Sequence, residues 1–476
     1  MYYQLKTLLL DEILRGKYGA DGRLPTEHEL CALHGLSRTP VSHALAELAE
    51  EGVVLRHRRR GTFVNPHWFD RRSQDSPEVR VLVPRGGPWA EHLRSVAPPG
   101  SRLSFAVVDM NELHSAFVHA VAEGRAPDFA VVDSVWVAEF AASGFLYPLE
   151  ELDPSWVAED YDQDFLQPFV DAYRIGGATV AVQAQMDVGG LWYNRAHLER
   201  LDAAPPETWA ELLRLGRRLR AANPRRHALV LPGGPAADEF ATYCLATLLA
   251  SNGAGVLGPD AVTLASPAAV AALRLLRRLV DEEIVPAQAV SFARERPIYL
   301  LGRGRASLAV GGSYDEPALA DSAGIDVDQL PQRFGFIPMP AGPQAEPAVL
   351  VGGLAYCISR QAREAKRAMR LLTAAVSTRA LIALCERTGH IPPRRSAVES
   401  VAPSSPFHAY TTALLDRGVL RPITPSYALV SAQLQTMVET VLDGRRTPNA
   451  AIARTADLVA AITGLPVRTD PTPAAL

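Results

Sequence analysis

The densest chemistry in this sequence is a run of three arginines, Arg58, Arg59 and Arg60, followed at once by Gly61. Guanidinium groups stay charged at any cellular pH and present a fork of donors matched to phosphate oxygens. Three of them at a turn suit contacts to a nucleic-acid backbone or insertion into a narrow minor groove. A solvated charge run is the ordinary explanation for such a cluster, so the surrounding elements must decide. A second polar group, Arg38, Thr39, Ser42 and His43, lies upstream. Catalytic patterns are missing: there is no GxSxG nucleophile elbow, no HExxH zinc helix and no GxxxxGKS phosphate loop. Cys31, Cys244, Cys357 and Cys385 are too far apart for the paired spacing of zinc sites or disulfide scaffolds. They read as buried thiols in a reducing compartment, and neither a metal nor a cofactor is expected.

The elements around the arginines have a definite order. Leu5, Leu8, Leu9, Ile13 and Leu14 fall on a helical stripe that Gly16 and Gly19 end. In LPTEHELCAL, Thr26 is placed to cap a second helix, with Glu29 three residues on to close a capping box and Gly35 to stop it. Ser37 is placed to cap a third, with Pro40 in its first turn and Val41, Leu45 and Leu48 on its apolar face. Two short helices joined by a tight glycine turn make a helix-turn-helix, whose second helix enters the major groove. Arg38, Thr39, Ser42 and His43 would then face DNA. Val53–Leu55 and Thr62–Val64 read as the strands of a hairpin wing with the three arginines at its tip. Over residues 1–68, nine Lys and Arg stand against eight Asp and Glu, so the positive charge is concentrated at the wing rather than general.

Residues 3–64 resemble the GntR family of winged-helix regulators, through YQLKTLLLDEILRGKY, GRLPTEHELCALHGLSRTPVSHALAELAEEGVV and RGTFV in that order. The resemblance implies a phosphate contact for Thr26, a base contact for Arg38 and close approach of Gly61 to DNA. His28 and Ser42 stand where members of the family often carry arginine, so the operator sequence is not carried over.

A chain of 476 residues with 48% hydrophobic content exceeds one ordinary domain. Residues 1–68 form the expected winged-helix domain, 69–78 a polar linker, 79–462 a second domain, and 463–476, rich in proline, a disordered tail. From residue 79 short apolar runs alternate with helical patterns, among them strands at 129–132, 178–182 and 307–310 and helices at 266–283 and 360–375. This part resembles family 1 extracellular solute-binding proteins. The matching pieces are PDFAVVDSVWVAEFAASGFLYPLEEL, the stretch from Arg174 to GLWYN, PPETWAELLRLGRRL, GRASLAVGGSY, FGFIPMPAGP and GGLAYCISRQAREAKRAMRLL. The fold class expected for the whole chain is therefore multidomain. An α+β winged helix-turn-helix is followed by a two-lobed α/β periplasmic-binding fold of type II.

The resemblance implies a ligand held between lobes, and by position in the fold it nominates Asp133, Trp136, Gln185, Asp187, Tyr314, Gly352 and Gly353 as ligand contacts. Carboxylates and amides suit sugar hydroxyls, and Trp and Tyr suit the apolar face of a sugar ring. Trp209 reads as packing, and Trp192 and Tyr193 are open. The amphipathic N-terminus carries Lys6, Asp11 and Glu12 and lacks an export signal, and no segment is an apolar span. The expectation is a cytoplasmic homodimeric regulator that binds double-stranded operator DNA and a sugar-like effector and makes no membrane contact.

Three other functions stay in competition. One is a receptor-like solute-binding protein without switching. Another is a winged helix fused to an enzyme, as in the GntR branch that carries a Schiff-base lysine. Lys366 is the only lysine beyond residue 17 and lies on the exposed-looking face of REAKRAMR, which disfavours that chemistry. The third, a DNA-coating protein, would need a basic field that a net charge of −4 does not supply.

Overall fold

The computed structural model describes residues 2–14, 17–18, 21–57, 60–66, 68, 78–401 and 406–468. Arg58 and Arg59 lie outside the described residues, as does most of the linker. The chain divides into two compact units. The first comprises 1–184 and 354–381, the second 185–353 and 382–476.

In the first unit, helices α1 (Tyr2–Leu14), α2 (Glu27–His34) and α3 (Arg38–Glu50) precede the hairpin β1 (Val54–His57) and β2 (Gly61–Val64). Leu5, Leu9, Ile13, Leu30, Val41, Leu45 and Leu48 form their common core, each at most 3% exposed. The capping box forms as the sequence requires: the Glu29 N–H donates to Thr26 Oγ1 at 3.3 Å and the Thr26 N–H to Glu29 Oε2 at 2.7 Å. Gly35 ends α2 in the left-handed conformation, at φ 62°. Ser37 takes the N-cap backbone geometry of α3 but makes no side-chain cap hydrogen bond.

One residue of the α1 stripe is corrected. Leu8 is 40% exposed, and Leu10, off the stripe, is fully buried. The reason lies outside the winged helix. A Cβ at position 124 would stand 3.3 Å from Leu10 Cδ2 and 3.8 Å from Trp68 Cζ2. Leu10 and Trp68 thus seat the winged helix on Gly124, a turn at φ 68° that follows helix α4 (Leu113–Ala122).

The rest of the first unit is an α/β layer. Strand β3 (Glu78–Pro84) pairs in parallel with β4 (Arg102–Val108) and with β5 (Phe129–Asp133). All five residues of β5 are buried, the near-continuous apolar pattern of an inner parallel strand. The strand expected at 178–182 is interrupted: Ala178–Thr179 closes a short hairpin with Arg174–Ile175, and a new strand, β6 (Val182–Asn194), begins after it.

The second unit takes over within β6. Its sheet sets β6 antiparallel to β8 (Ala306–Gly312) and β9 (Phe334–Ile337), while β7 (His227–Val230) runs parallel to β8. Strand β10 (Val349–Ile358) starts in this unit, beside β11 (Gly418–Leu420), and its C-terminal half pairs antiparallel with β5 in the first. Among the helices of the second unit are α5 (Trp209–Ala222), α6 (Glu239–Ala250), α7 (Pro267–Asp281), α8 (Arg296–Gly302), α9 (Tyr427–Leu442) and α10 (Pro448–Thr463). The chain beyond α10 is not free at once, contrary to the disordered tail expected from residue 463. Val467 bridges to Val262, and the Arg468 N–H donates to the Val262 carbonyl at 2.9 Å. Residues 469–476 lie outside the described residues.

Candidate DNA-contact surface and candidate ligand site

The winged helix turns its polar groups outward. Thr26, His28, Arg38, Thr39, His43 and Arg60 are exposed, and Ser42 and Gly61 half-buried. Arg38 is 85% exposed and, among the described residues, is held by Glu27, whose other oxygen takes Arg56, at 3.1 and 2.5 Å. This acid orients the Arg38 side chain at the start of α3 without covering it. His43 lies 3.5 Å from Glu47 one turn along. The two hydrogen bonds from Thr26, backbone first and side chain second, hold the Glu29 carboxyl below its ordinary pKa.

In the sequence Lys6 reads only as a charge of the amphipathic N-terminus. It is 2% exposed and reaches from α1 to Glu47 at 2.8 Å and Glu51 at 2.6 Å, tying the first helix to the third.

In the second unit, Asp187, Tyr314 and Gly352 come together, from β6, the turn after β8, and β10. The Tyr243 hydroxyl donates to Asp187 Oδ1 at 2.8 Å and approaches the Leu350 carbonyl at 3.3 Å. A Cβ on Gly352 would lie 3.2 Å from Asp187 Oδ1, 3.2 Å from the Tyr243 ring and 3.3 Å from Arg421. Glycine there leaves room for the carboxylate, the phenol and the guanidinium at one point. The Tyr243 ring packs nearly parallel to Phe240 at 5.9 Å and edge-on to Tyr314 at 6.4 Å. Tyr314 stacks on His390 at 5.9 Å, and Arg294 sits over both Tyr314 and Phe240, at 5.5 and 5.8 Å.

The charge states follow from burial. Asp315 accepts the Gly312 N–H at 2.8 Å. Burial still pushes its carboxyl up to about 7, against that hydrogen bond and the Arg294 charge. Burial lowers His390 to about 4, so it is a neutral ring at neutral pH. Gln185 takes a 3.4 Å contact from the Thr388 hydroxyl. Gly353 continues β10 at φ 131°.

Asp133 and Trp136 belong to the first unit. Asp133 Oδ1 accepts the Val135 N–H at 3.2 Å, capping the turn that follows β5, and is 8% exposed. Trp136 meets His114 edge-on at 5.2 Å and stays half-buried. Trp192 is buried, its indole donating to the Gly312 carbonyl at 2.9 Å, and Tyr193 is buried beside it, which answers the open question about that pair in favour of the core. Trp209 packs in the core, as its sequence context indicated.

Tyr243, Phe240, Arg294, Asp315, His390 and Arg421 were missed. Only the pair Gly189–Gly190 hinted at them, since a Cβ on Gly189 would fall 2.5 Å from the Tyr243 ring. Among the described residues no three His, Cys, Asp or Glu side chains are grouped to hold a metal ion, all four cysteines are free, and no single helix is long and apolar enough to cross a membrane. Cys31 is half-buried and the other three are buried.

The elements define a class by architecture: a winged helix-turn-helix followed by an α/β solute-binding fold. Residues 1–64 match the bacterial regulatory proteins of the gntR family, and residues 101–412 match the bacterial extracellular solute-binding proteins. The second match spans more than half of the chain, which belongs to that family and carries a GntR winged helix at its N-terminus.

A Brucella abortus (strain 2308) protein named only as a binding protein is 23% identical over 280 residues, 57% of this chain and 65% of the relative, so the chain spans just under two thirds of that relative's length. The uncharacterized HTH-type transcriptional regulator YurK of Bacillus subtilis (strain 168) is 44% identical over 64 residues, 13% of this chain and 26% of YurK. Among solved structures, an ABC-transporter solute-binding protein of Thermotoga lettingae bound with alpha-D-tagatose superposes with a TM-score of 0.73 at 23% identity, covering 82% of this chain and 100% of that one. The maltose-bound MalE3 of T. maritima gives 0.71 at 24%, covering 80% and 99%. The likeness establishes the fold. Both parts are regulator and solute-binding types rather than enzyme families.

Proposed function

We propose that the protein is a cytoplasmic, ligand-responsive transcription regulator, divided into a DNA-binding part at 1–68, a linker at 69–78 and a sensing part at 79–462. A homodimer would set two winged helices on the half-sites of a double-stranded operator, about one helical turn apart. Arg38, Thr39, Ser42 and His43 would face bases and backbone from α3. Thr26, His28, Arg58, Arg59, Arg60 and Gly61 would hold the phosphates and the wing. The sensing part would take a small carbohydrate without chemically changing it; Asp187, Gln185, Tyr314, Gly352 and Gly353 are the candidate contacts in the second unit, and Asp133 and Trp136 are separate candidates in the first. Effector binding would shift operator affinity by as much as it discriminates between two conformations of the protein.

The observation that carries this reading is the gathering of Asp187, Tyr243 and Arg421 around Gly352, with Tyr314 edge-on to Tyr243, in a chain that also presents an exposed recognition helix. A carboxylate beside aromatic rings fits hydroxyls on one side of a sugar and carbon on the other, and the tagatose and maltose held by structural neighbours favour the same ligand class.

A thermal-shift screen with tagatose, maltose, other sugars and polyols tests the sensing half, because a ligand that binds only the folded state raises the melting temperature. A selective rise lost in Asp187→Ala supports it, and a silent panel removes carbohydrate from the reading. Selection of genomic fragments by the full-length protein tests the other half. Arg38→Ala is expected to lose discrimination of about 1–3 kcal/mol at one base pair, and full specificity in that variant would overturn the assignment.

A further inference from the structure

Most arginines on the outer helices of the second unit are ion-paired. Arg217 and Arg278 both pair with Glu282 at 2.7 Å, Arg277 with Asp281 and Arg220 with Glu283. At the start of β7 the pattern reverses. Arg200, Arg225, Arg226, Arg296, Arg303 and Arg305 make no ion pair among the described residues, and the sequence-adjacent acids Glu199 and Glu295 pair with none of them. All are exposed except Arg226, which is half-buried.

The six form one surface. The parallel register of β7 and β8 pairs His227 with Ala306, so Arg226 and Arg305 precede partners on adjacent strands, and the His227 N–H donates to the Arg305 carbonyl at 3.0 Å. Arg296 is close enough to His227 to add to the effect of burial in lowering its pKa. Arg226 and Arg200 likewise add to burial at His197, which falls to about 4. Arg296 at the start of α8 and Arg303 just past its end lie over the Tyr299 ring at 5.8 and 5.4 Å, and that ring is 43% exposed. Arg226 Nε is buried with no hydrogen-bond partner, an uncommon condition for a charged group. A net charge of −4 over the whole chain makes an unpaired concentration of this kind local rather than compositional.

Adjacent guanidinium groups repel one another, and an anion laid across them removes the repulsion and supplies the acceptors that the protein withholds. The chain carries a GntR winged helix, so, resting on the DNA-binding reading proposed above, a DNA duplex is the polyanion this protein is built to meet. We propose that the arginine surface around β7 and α8 is a second DNA-contact surface that grips backbone phosphates without reading bases. Forked donors flanking an exposed aromatic ring suit phosphate and deoxyribose together.

The test uses the full-length triple variant R225Q/R303Q/R305Q, all three positions being exposed, with fluorescence anisotropy on a random-sequence duplex over a series of salt concentrations. Each lost phosphate contact lowers the slope of log affinity against log salt by about 0.9, so the triple variant is expected to lose roughly 2–3 in slope and about 10-fold or more in affinity at low salt. The pair R220Q/R277Q, in which each arginine already has an acid of its own, Glu283 and Asp281, is expected to leave both quantities unchanged. An unaltered melting temperature in the triple variant secures the comparison. A triple variant with the slope and affinity of the wild type overturns the proposal, including the case in which the surface serves an acidic protein instead. Arg38→Ala separates this outcome from the fate of operator recognition, because it changes sequence preference while leaving the arginine surface intact.

Discussion

Lys6→Met is the sharpest probe of how the recognition helix is held. The ammonium of Lys6 is buried at 2% exposure between Glu47 and Glu51 of α3. Desolvation alone would lower its pKa, and the hydrogen bonds it donates to the two carboxylates, with their charges, outweigh that and raise it. Methionine keeps the length and apolar character of the stem and removes the charge, leaving two carboxylates facing each other beside an apolar wall. Breaking a buried pair in this way costs about 3–5 kcal/mol where both partners are sealed. Here the glutamates keep 25% and 24% exposure, and water can reach them. We therefore expect the low side, about 2 kcal/mol.

Hydrogen exchange in the full-length protein reads this locally. At 1.4 kcal/mol per decade, the amides of α1 and α3 should exchange about 30-fold faster, with those of α7 unchanged. The compensated variant K6M/E47L/E51L should recover most of the protection, since apolar replacement of a whole buried ion cluster is often neutral or better. Protection of α1 and α3 left at the wild-type level in Lys6→Met would refute the reasoning. It would mean that the Leu9, Leu45 and Leu48 core, not the ion cluster, fixes the two helices.

Other perturbations bear on the second unit. Gly352→Val drives a side chain into Asp187, Tyr243 and Arg421. It is expected to abolish a sugar-induced thermal shift while costing only about 1–3 kcal/mol of stability, measured by denaturant unfolding. Asp315 has a folded pKa of about 7 against an ordinary 3.8. Between those values the unfolded chain gives up a proton that the folded protein keeps, so wild-type stability falls as pH rises. The melting temperature of Asp315→Asn relative to wild type should accordingly climb from pH 4 to 7.5, and a flat difference would remove the buried-acid assignment. His390 has the opposite sign. Its folded pKa of about 4 lies below the ordinary 6.5, so stability is gained as pH rises through that window. His390→Gln should lose this gain and compare more favourably with wild type at pH 5 than at pH 7.

What the sequence disclosed, and what it hid, divides along the range of the interactions. The winged helix was legible because its signals are local: the Thr26–Glu29 box spans four residues, Gly35 needs only its own backbone angle, and the apolar stripe of α3 repeats every turn. The same logic mistook Leu8 for Leu10, since the partner that buries Leu10 is Gly124, far along the chain. In the second domain Asp187, Tyr314 and Gly352 were reachable from motif position. Their neighbours Tyr243 on α6, Arg421 after β11 and His390 sit in segments whose helical or loop pattern is satisfied with or without a ligand. No period in one sequence distinguishes a tyrosine that serves the core from one that donates to a carboxylate 56 positions away.

The arginine surface shows the limit most clearly. Arg217 and Arg226 occur in one stretch of sequence and look alike there. Only the fold reveals that Glu282 covers the first and that, among the described residues, no acid pairs with the second. Charge in the sequence is a sum, whereas function depends on which charges remain unanswered after folding. An Arg226→Gln variant therefore tests more than one residue: relief of repulsion with Arg200 should leave the free protein as stable as before or more so, while weakening its grip on random duplex. Loss of stability without loss of DNA affinity would show that the cluster is tolerated for packing alone.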